Sequence, residues 1–272
     1  MKYPVFLSDF DGTLVRADGT VSQTNLDAIN AYLSAGGKFS VCSGRGLNSV
    51  LAQAKKMGLK EGLAVAYQGA TIVDLATGKI LKDEGFSRES VLRVLGVMES
   101  HNLHVQIYTV DSYLCNRDNE MLAYYERIVG IRARRVLDEP LSKTVERENL
   151  RIIKALAVVA PEDRFTLRDA LKQELGEEYY VTCSSEWLVE VMPKTQNKGT
   201  AVRFLADYYG VDVSRVAAIG DQLNDVPMIL AAGGKFAVSN AESELKELAR
   251  VVPSNEEDGV AVALKIAMGE EE

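Results

Sequence analysis

The run Val5-Phe6-Leu7-Ser8-Asp9-Phe10-Asp11-Gly12-Thr13 places two acids, two residues apart, directly after a short apolar segment. A carboxylate at the end of a buried segment is costly unless something compensates it. A bound divalent cation would do so, and hard oxygen ligands suit magnesium. A related pattern returns downstream. Val216-Ala217-Ala218-Ile219-Gly220 leads into Asp221, and Asn224 and Asp225 follow at the start of an expected helix. A helix N-terminus turns open amides toward anions such as phosphate. Ser43 and Gly44 offer a hydroxyl and an unhindered amide after a third apolar segment. Lys198 supplies one positive charge. Together these residues make an inventory for phosphoryl transfer. It holds a carboxylate nucleophile, a second carboxylate for proton transfer, acids for a metal, donors for phosphate oxygens and a lysine. Such transfer depends on charge neutralisation and alignment. An aspartate is weakly basic, so it is already ionised at neutral pH when it attacks.

The elements that must position these groups follow from the patterning. Residues 3–7 read as a buried strand, 23–35 as a helix with Leu26, Ile29 and Leu33 at helical spacing, and 38–42 as a second strand. A helix over 47–57 and a third strand over 63–67 come next. Strand, helix, strand, helix, strand implies a parallel sheet with helices on its faces. Ligands bind beyond the carboxyl ends of such strands, where Asp9 and Ser43 both fall. Residues 71–73 and 79–82 read as a hairpin turning at Thr77-Gly78. The pattern then changes. A helix over 87–100, alternating strands over 104–108 and 112–115, a strand over 152–159, a helix over 161–175 and strands over 179–183 and 188–191 mix without regular alternation. Parallel-type patterning returns with helices over 198–209, 226–232 and 242–248 and strands over 216–219 and 236–239. The fold class is therefore α/β: a Rossmann-like core of 1–82 and 191–272, carrying an α+β insert over 83–190.

Composition narrows the function classes. The chain has 272 residues, 47% of them hydrophobic and 26% charged, with a net charge of −8. That is ordinary for a soluble globular protein and gives no broad basic surface for nucleic acid. No stretch of about 18 apolar residues is present, so no membrane span is expected. Nothing before Asp9 reads as a signal peptide, and the cytoplasm is the default location. Cys42, Cys115 and Cys183 are scattered, which argues against a disulfide framework or a structural zinc site. Cys42 reads as a small buried residue ending a strand rather than a nucleophile.

Asp-x-Asp-Gly-Thr, then Ser-Gly-Arg, then Lys-Gly, then Gly-Asp-x-x-Asn-Asp resembles, in order, the four motifs of the haloacid dehalogenase superfamily. The Cof-like branch of sugar-phosphate phosphatases is the most similar, because Glu190-Val191-Met192-Pro193, Asn197-Lys198-Gly199 and Asn240-Ala241 resemble it too. The resemblance implies a core with a cap of the type IIB position inserted between Ser43 and Lys198. It implies that Asp9 is the nucleophile, forming an aspartyl-phosphate, and a magnesium ligand. Asp11 would be the general acid/base and would lend magnesium its main-chain carbonyl. Asp221 would be a further metal ligand, and Asp225 would orient the metal shell or Lys198. Ser43, Gly44, Lys198 and Asn224 would bind the phosphate of a small phosphorylated metabolite. Departures at Gln68-Gly69-Ala70, where the group often has Asn-Gly-Ala, and at Val238-Ser239-Asn240-Ala241 bear on substrate fit rather than on the reaction.

Two other readings stay open at this point. A phosphomannomutase-like mutase would need basic residues in the insert to grip a second phosphate, and Arg132, Arg134 and Arg135 are the candidates. A regulatory module with decayed catalysis would have lost Asp9, Asp11 or Asp221, and all three are present. His101 and His104 read as structural, and Trp187, Tyr108 and Tyr113 as sheet-packing residues. Arg45 reads equally as a substrate contact or a solvated residue. The oligomeric state is not legible.

Overall fold

The structure, a computed structural model, describes residues 1–270, apart from the side chains at positions 124, 128 and 129. The chain opens with β1 (Val5–Ser8), α1 (Gln23–Ser34), β2 (Lys38–Val41), α2 (Leu47–Lys56), β3 (Leu63–Ala66), β4 (Thr71–Asp74) and β5 (Ile80–Asp83). It continues with α3 (Arg88–Ser100), β6 (His104–Tyr108), β7 (Tyr113–Cys115), α4 (Glu120–Val129), β8 (Arg134–Arg135) and α5 (Leu141–Glu148). Next come β9 (Lys154–Val158), α6 (Arg164–Leu175), β10 (Tyr179–Ser185) and β11 (Leu188–Pro193). The last elements are α7 (Lys198–Tyr209), β12 (Val216–Gly220), α8 (Val226–Ala231), β13 (Gly234–Val238), α9 (Ser243–Leu248), β14 (Arg250–Val252) and α10 (Gly259–Met268). No helix among the described residues is long and apolar enough to cross a membrane. Two compact units result. One comprises Met1–Gly44, Val50–Lys82 and the chain from Asn197 on; the other comprises Arg45–Ser49 and Asp83–Gln196.

The first unit is built on a parallel sheet of order β14-β13-β12-β1-β2. Strands of such a sheet are covered on both faces, which is why β1 and β12 are apolar throughout and completely buried. Phe6 stacks between Phe39 and Phe236, with ring centroids 6.1 and 6.2 Å away, and anchors the core beneath the strand ends. The third expected strand departs from the expectation of a simple parallel series. β3 touches β2 through one parallel bridge, Cys42 to Val65, while its continuous ladder is antiparallel to β4. β3, β4 and β5 thus make a small sheet of their own. α1 also departs from its expected face. Asn25, Ile29 and Tyr32 are buried, because the Asn25 carboxamide accepts from the Ala261 amide at 2.9 Å and the Tyr32 hydroxyl donates to the Tyr3 carbonyl at 2.7 Å. Those two bonds make polar atoms affordable on the inner face, and Leu26 and Leu33 are only half-buried.

The second unit holds a six-stranded sheet, β10-β11-β9-β6-β7-β8, antiparallel except for the short β7–β8 pair. α3 is capped by Ser87 and buries Val91, Val94, Leu95 and Met98, a helical stripe that packs against β9, α5 and α6. α4, β8 and α5 lie where the sequence pattern showed no element, as do β14 and α10. Tyr108 and Tyr113 are buried and stack with centroids 5.1 Å apart, as sheet-packing residues. Trp187 does not pack in a sheet: it lies in the β10–β11 turn and is exposed. His101 pairs with Glu174 at 2.6 Å, and His104 is buried at the start of β6. Arg134 is held by both oxygens of Glu148, and Arg135 by Asp118 and Glu126.

Candidate active site

β1 and β12 are neighbours in register, Ser8 opposite Ile219, so the residues leaving their carboxyl ends emerge side by side. That register is why Asp9 and Asp221, more than two hundred positions apart, share one site. The Asp9 amide donates to the Ile219 carbonyl at 3.0 Å, which fixes the turn-off from the strand. Thr13 ties the two acids together. Its hydroxyl lies 2.8 Å from an Asp221 oxygen and 3.4 Å from an Asp9 oxygen. Gly12 between them has φ +77°, and a β-carbon there would collide with the Asp221 carboxylate.

Lys198 opens α7 immediately after its cap, Asn197, whose side chain accepts from the Thr200 amide. The lysine is fully buried and donates to both Asp9 and Asp225. Its distance to Asp225 Oδ1 is 2.5 Å. The second Asp225 oxygen accepts the backbone amides of Asp221 and Gln222 at 2.9 and 3.1 Å, so both its oxygens are committed to holding the turn and the lysine. Gly220 has no room for a side chain against that carboxylate.

The charges do not balance. Three buried acids share the site with one buried ammonium. Burial alone would push the Lys198 ammonium down, but Asp225 and Asp9 outweigh it and hold it well above its ordinary range. Burial, then the Asp225 charge, pushes Asp9 up to about 6 despite the lysine. Burial and the charges of Asp9 and Asp225 push Asp221 well above the usual carboxylate range. Negative charge left over in a dry site invites a cation. Oxygens of Asp9, Asp221 and Asp225 lie within 4.8 Å of one another, close enough to share one. The donor set fits a hard divalent ion: carboxylate oxygens only, with Asp225 better engaged in bracing than in ligation.

Asp11, Ser43, Gly44, Asn224 and Asn240 belong to the same unit as this cluster. Asp11 is exposed, two residues beyond Asp9, and its charge adds to the upward push on Asp9. Ser43 and Gly44 leave β2, with the Ser43 amide donating to the Val65 carbonyl at 3.0 Å. Asn224 is buried, and its Nδ2 donates to Gln68 Oε1 at 3.1 Å. Asn240 donates to the Gly12 carbonyl at 2.8 Å and so braces the loop after Asp11. Arg45 belongs to the other unit, with Nη1 3.4 Å from the Ser49 hydroxyl. Cys42 is completely buried, and burial pushes its thiol up to about 12, which leaves it a packing residue. Sequence reasoning gave no separate part to Thr13, which stood inside the quoted run, and marked Gln68 only as a departure from the family pattern that bears on substrate fit.

The family model described as haloacid dehalogenase-like hydrolase matches residues 6–264. A Bacillus subtilis protein named 5-amino-6-(5-phospho-D-ribitylamino)uracil phosphatase YwtE is 29% identical over 276 residues, covering 93% of this chain and 94% of its own. A crystal structure from Thermotoga maritima is 29% identical, covers 97% of each chain and superposes with a TM-score of 0.77. A haloacid dehalogenase-like hydrolase from B. subtilis, 23% identical over 96% of this chain and 99% of its own, shares the fold with a TM-score of 0.85. The chain belongs to the haloacid dehalogenase-like hydrolase family, among relatives that include named phosphatases.

Proposed function

We propose that this phosphatase hydrolyses a small phosphorylated metabolite, a sugar phosphate or related phosphomonoester, by way of an aspartyl-phosphate on Asp9. The observation that carries the reading is the Asp9–Lys198–Asp225 contact beside Asp221, a buried anionic cluster short of positive charge. Asp9 is the nucleophile: one oxygen attacks phosphorus as the ester P–O bond breaks. Asp11, exposed beside Asp9, acts as the general acid and gives its proton to the departing alkoxide. It then takes a proton from a water molecule, whose oxygen attacks the same phosphorus. The acyl–phosphate bond breaks, inorganic phosphate leaves and the Asp9 carboxylate is restored. Ser43, Gly44, Lys198 and Asn224 bind the phosphate oxygens. Asp9, Asp221 and the Asp11 carbonyl would hold magnesium, with Asp225 bracing the arrangement from behind. When bound, the ion neutralises phosphate charge and favours ionised Asp9.

Support for the substrate class comes from the YwtE relative, whose named substrate carries its phosphate on a ribityl chain. The inserted segment 83–190 is proposed as the cap domain that sets substrate choice, with 1–82 and 191–272 as the catalytic core. The mutase reading is weakened at two of its three arginines, since Arg134 is paired with Glu148 and Arg135 with Glu126 and Asp118. A magnesium-dependent screen of phosphorylated metabolites tests the proposal. At least one should release inorganic phosphate without a bisphosphate activator, and Asp9→Asn should be inert in the same screen. Near-wild-type turnover by Asp9→Asn would overturn the mechanism.

A further inference from the structure

Gln68 occupies an unusual place. Tyr67, Gln68 and Gly69 follow β3 with φ of 49°, 58° and 100°. Two consecutive non-glycine residues in the left-handed region are strained, and neither is the asparagine that tolerates it best. The surroundings impose the conformation: the Gln68 amide donates to the Ser43 carbonyl at 3.0 Å, and the Ala70 amide to the Tyr67 carbonyl at 3.1 Å. Its effect is to send a fully buried carboxamide into the space between the Ser43-Gly44 turn and Asn224. Gln68 Oε1 receives Asn224 Nδ2 at 3.1 Å, and Gln68 Nε2 lies 2.5 Å from where a β-carbon on residue 44 would stand. One side chain therefore touches both phosphate-facing elements of the proposed site and crowds position 44, where glycine leaves it room.

We infer that Gln68 is a positioning residue that acts through Asn224. This rests on the reading of Asn224 as a phosphate donor. The Asn224 Nδ2 group carries two hydrogens. Gln68 Oε1 fixes one of them and so fixes the direction of the other. The Asn224 Oδ1 atom is buried with no hydrogen-bond partner among the described residues, so nothing on that side locks the amide. Without Gln68 Oε1 the carboxamide is free to turn over and face the phosphate with its oxygen, replacing an attractive contact with a repulsive one. The loss falls on ground and transition state alike, because both carry the same anionic oxygens, so KM rises and kcat holds.

The test is a double-mutant cycle in the full chain, with p-nitrophenyl phosphate as substrate and inorganic phosphate as competitive inhibitor. Gln68→Met keeps the length and removes the acceptor. It should raise KM and the phosphate inhibition constant on the order of tenfold while kcat stays within about threefold. Asn224→Ala should do the same, and the double variant should be no worse than Asn224→Ala alone. If Gln68→Met fails to fold, Gln68→Asn replaces it, since asparagine accepts the left-handed backbone but is one methylene too short. Unchanged KM and inhibition constant, or effects that multiply in the double variant, would overturn the inference. With wild type active and Asp9→Asn inert, either result removes the role of Gln68 and leaves the proposed reaction standing.

Discussion

The Lys198 ammonium lies 2.5 Å from the Asp225 carboxylate with both side chains fully buried, and the lysine also donates to Asp9. A charge pair this deep is costly to form and more costly to break, because removing one partner strands the other. Lys198→Met should therefore destabilise the fold by about 3–5 kcal/mol in urea denaturation with chelator present. Asp225→Asn should fall in the same range, since it also weakens the bonds to the Asp221 and Gln222 amides. A loss below about 1 kcal/mol for Lys198→Met would show that the pair is not a structural anchor.

The surplus of buried negative charge should make stability depend on cations. Magnesium at about one hundred times its dissociation constant should stabilise the protein by about 2.7 kcal/mol through mass action alone. Asp221→Asn should abolish that increment while folding normally without metal, because it removes charge from an overcrowded site. A thermal melt with and without magnesium reads both outcomes. An Asp221→Asn variant that still gains the full increment would move the cation elsewhere.

Gly12 is pinned by conformation and by space at once. Its φ of +77° disfavours any side chain, and a β-carbon would run into the Asp221 carboxylate. Gly12→Ala should cost about 1–2 kcal/mol from the backbone alone. It should also weaken the magnesium-induced rise in melting temperature, because Asp221 must move aside. Wild-type magnesium response in Gly12→Ala would show that Asp221 has room to spare.

His104 gives a pH signature independent of the proposed chemistry. Burial, with a smaller push from Arg117, lowers its pKa from 6.5 to about 4, and its Nε2 has no hydrogen-bond partner among the described residues. Between pH 6.5 and 4 the unfolded chain binds a proton at this position that the native protein refuses. Stability is therefore lost as pH falls through that window. His104→Gln should flatten this part of the profile in urea denaturation at stepped pH. An unchanged slope would assign it to other groups.

Much of this site was legible in the residues themselves. Asp9, Ser43 and Asp221 each follow an apolar run, and apolar runs in an alternating series become strands whose ends share a rim. Lys198 and Asp225 stand at starts of expected helices, where chain direction brings them to the same rim. Gln68 stood out only as a departure from the family pattern; the positioning role inferred for it was not legible, because that role depends on a backbone conformation its residue type disfavours and on a partner 156 positions away. β3 misled for a related reason. Its apolar residues fit a buried strand of either pairing, and the tight turn through Tyr67 to Gly69 lets it pair antiparallel with β4. α5 was hidden because it buries little beyond Leu141, Thr144 and Val145, too short a stripe to show a period. α10 has the opposite difficulty: apolar on nearly every side, it carries no polar face to mark the helix.

The proposed nucleophile can be caught. Asp11→Asn should still transfer phosphate from p-nitrophenyl phosphate to Asp9, because nitrophenolate leaves without needing a proton. It should then stall, because no base activates water. Acid quenching and peptide mass spectrometry should find one phosphoryl group per chain on the peptide containing Asp9, alongside a burst of one equivalent of nitrophenolate. A burst with the label on another residue, or steady wild-type turnover with no labelled peptide, would contradict attack by Asp9.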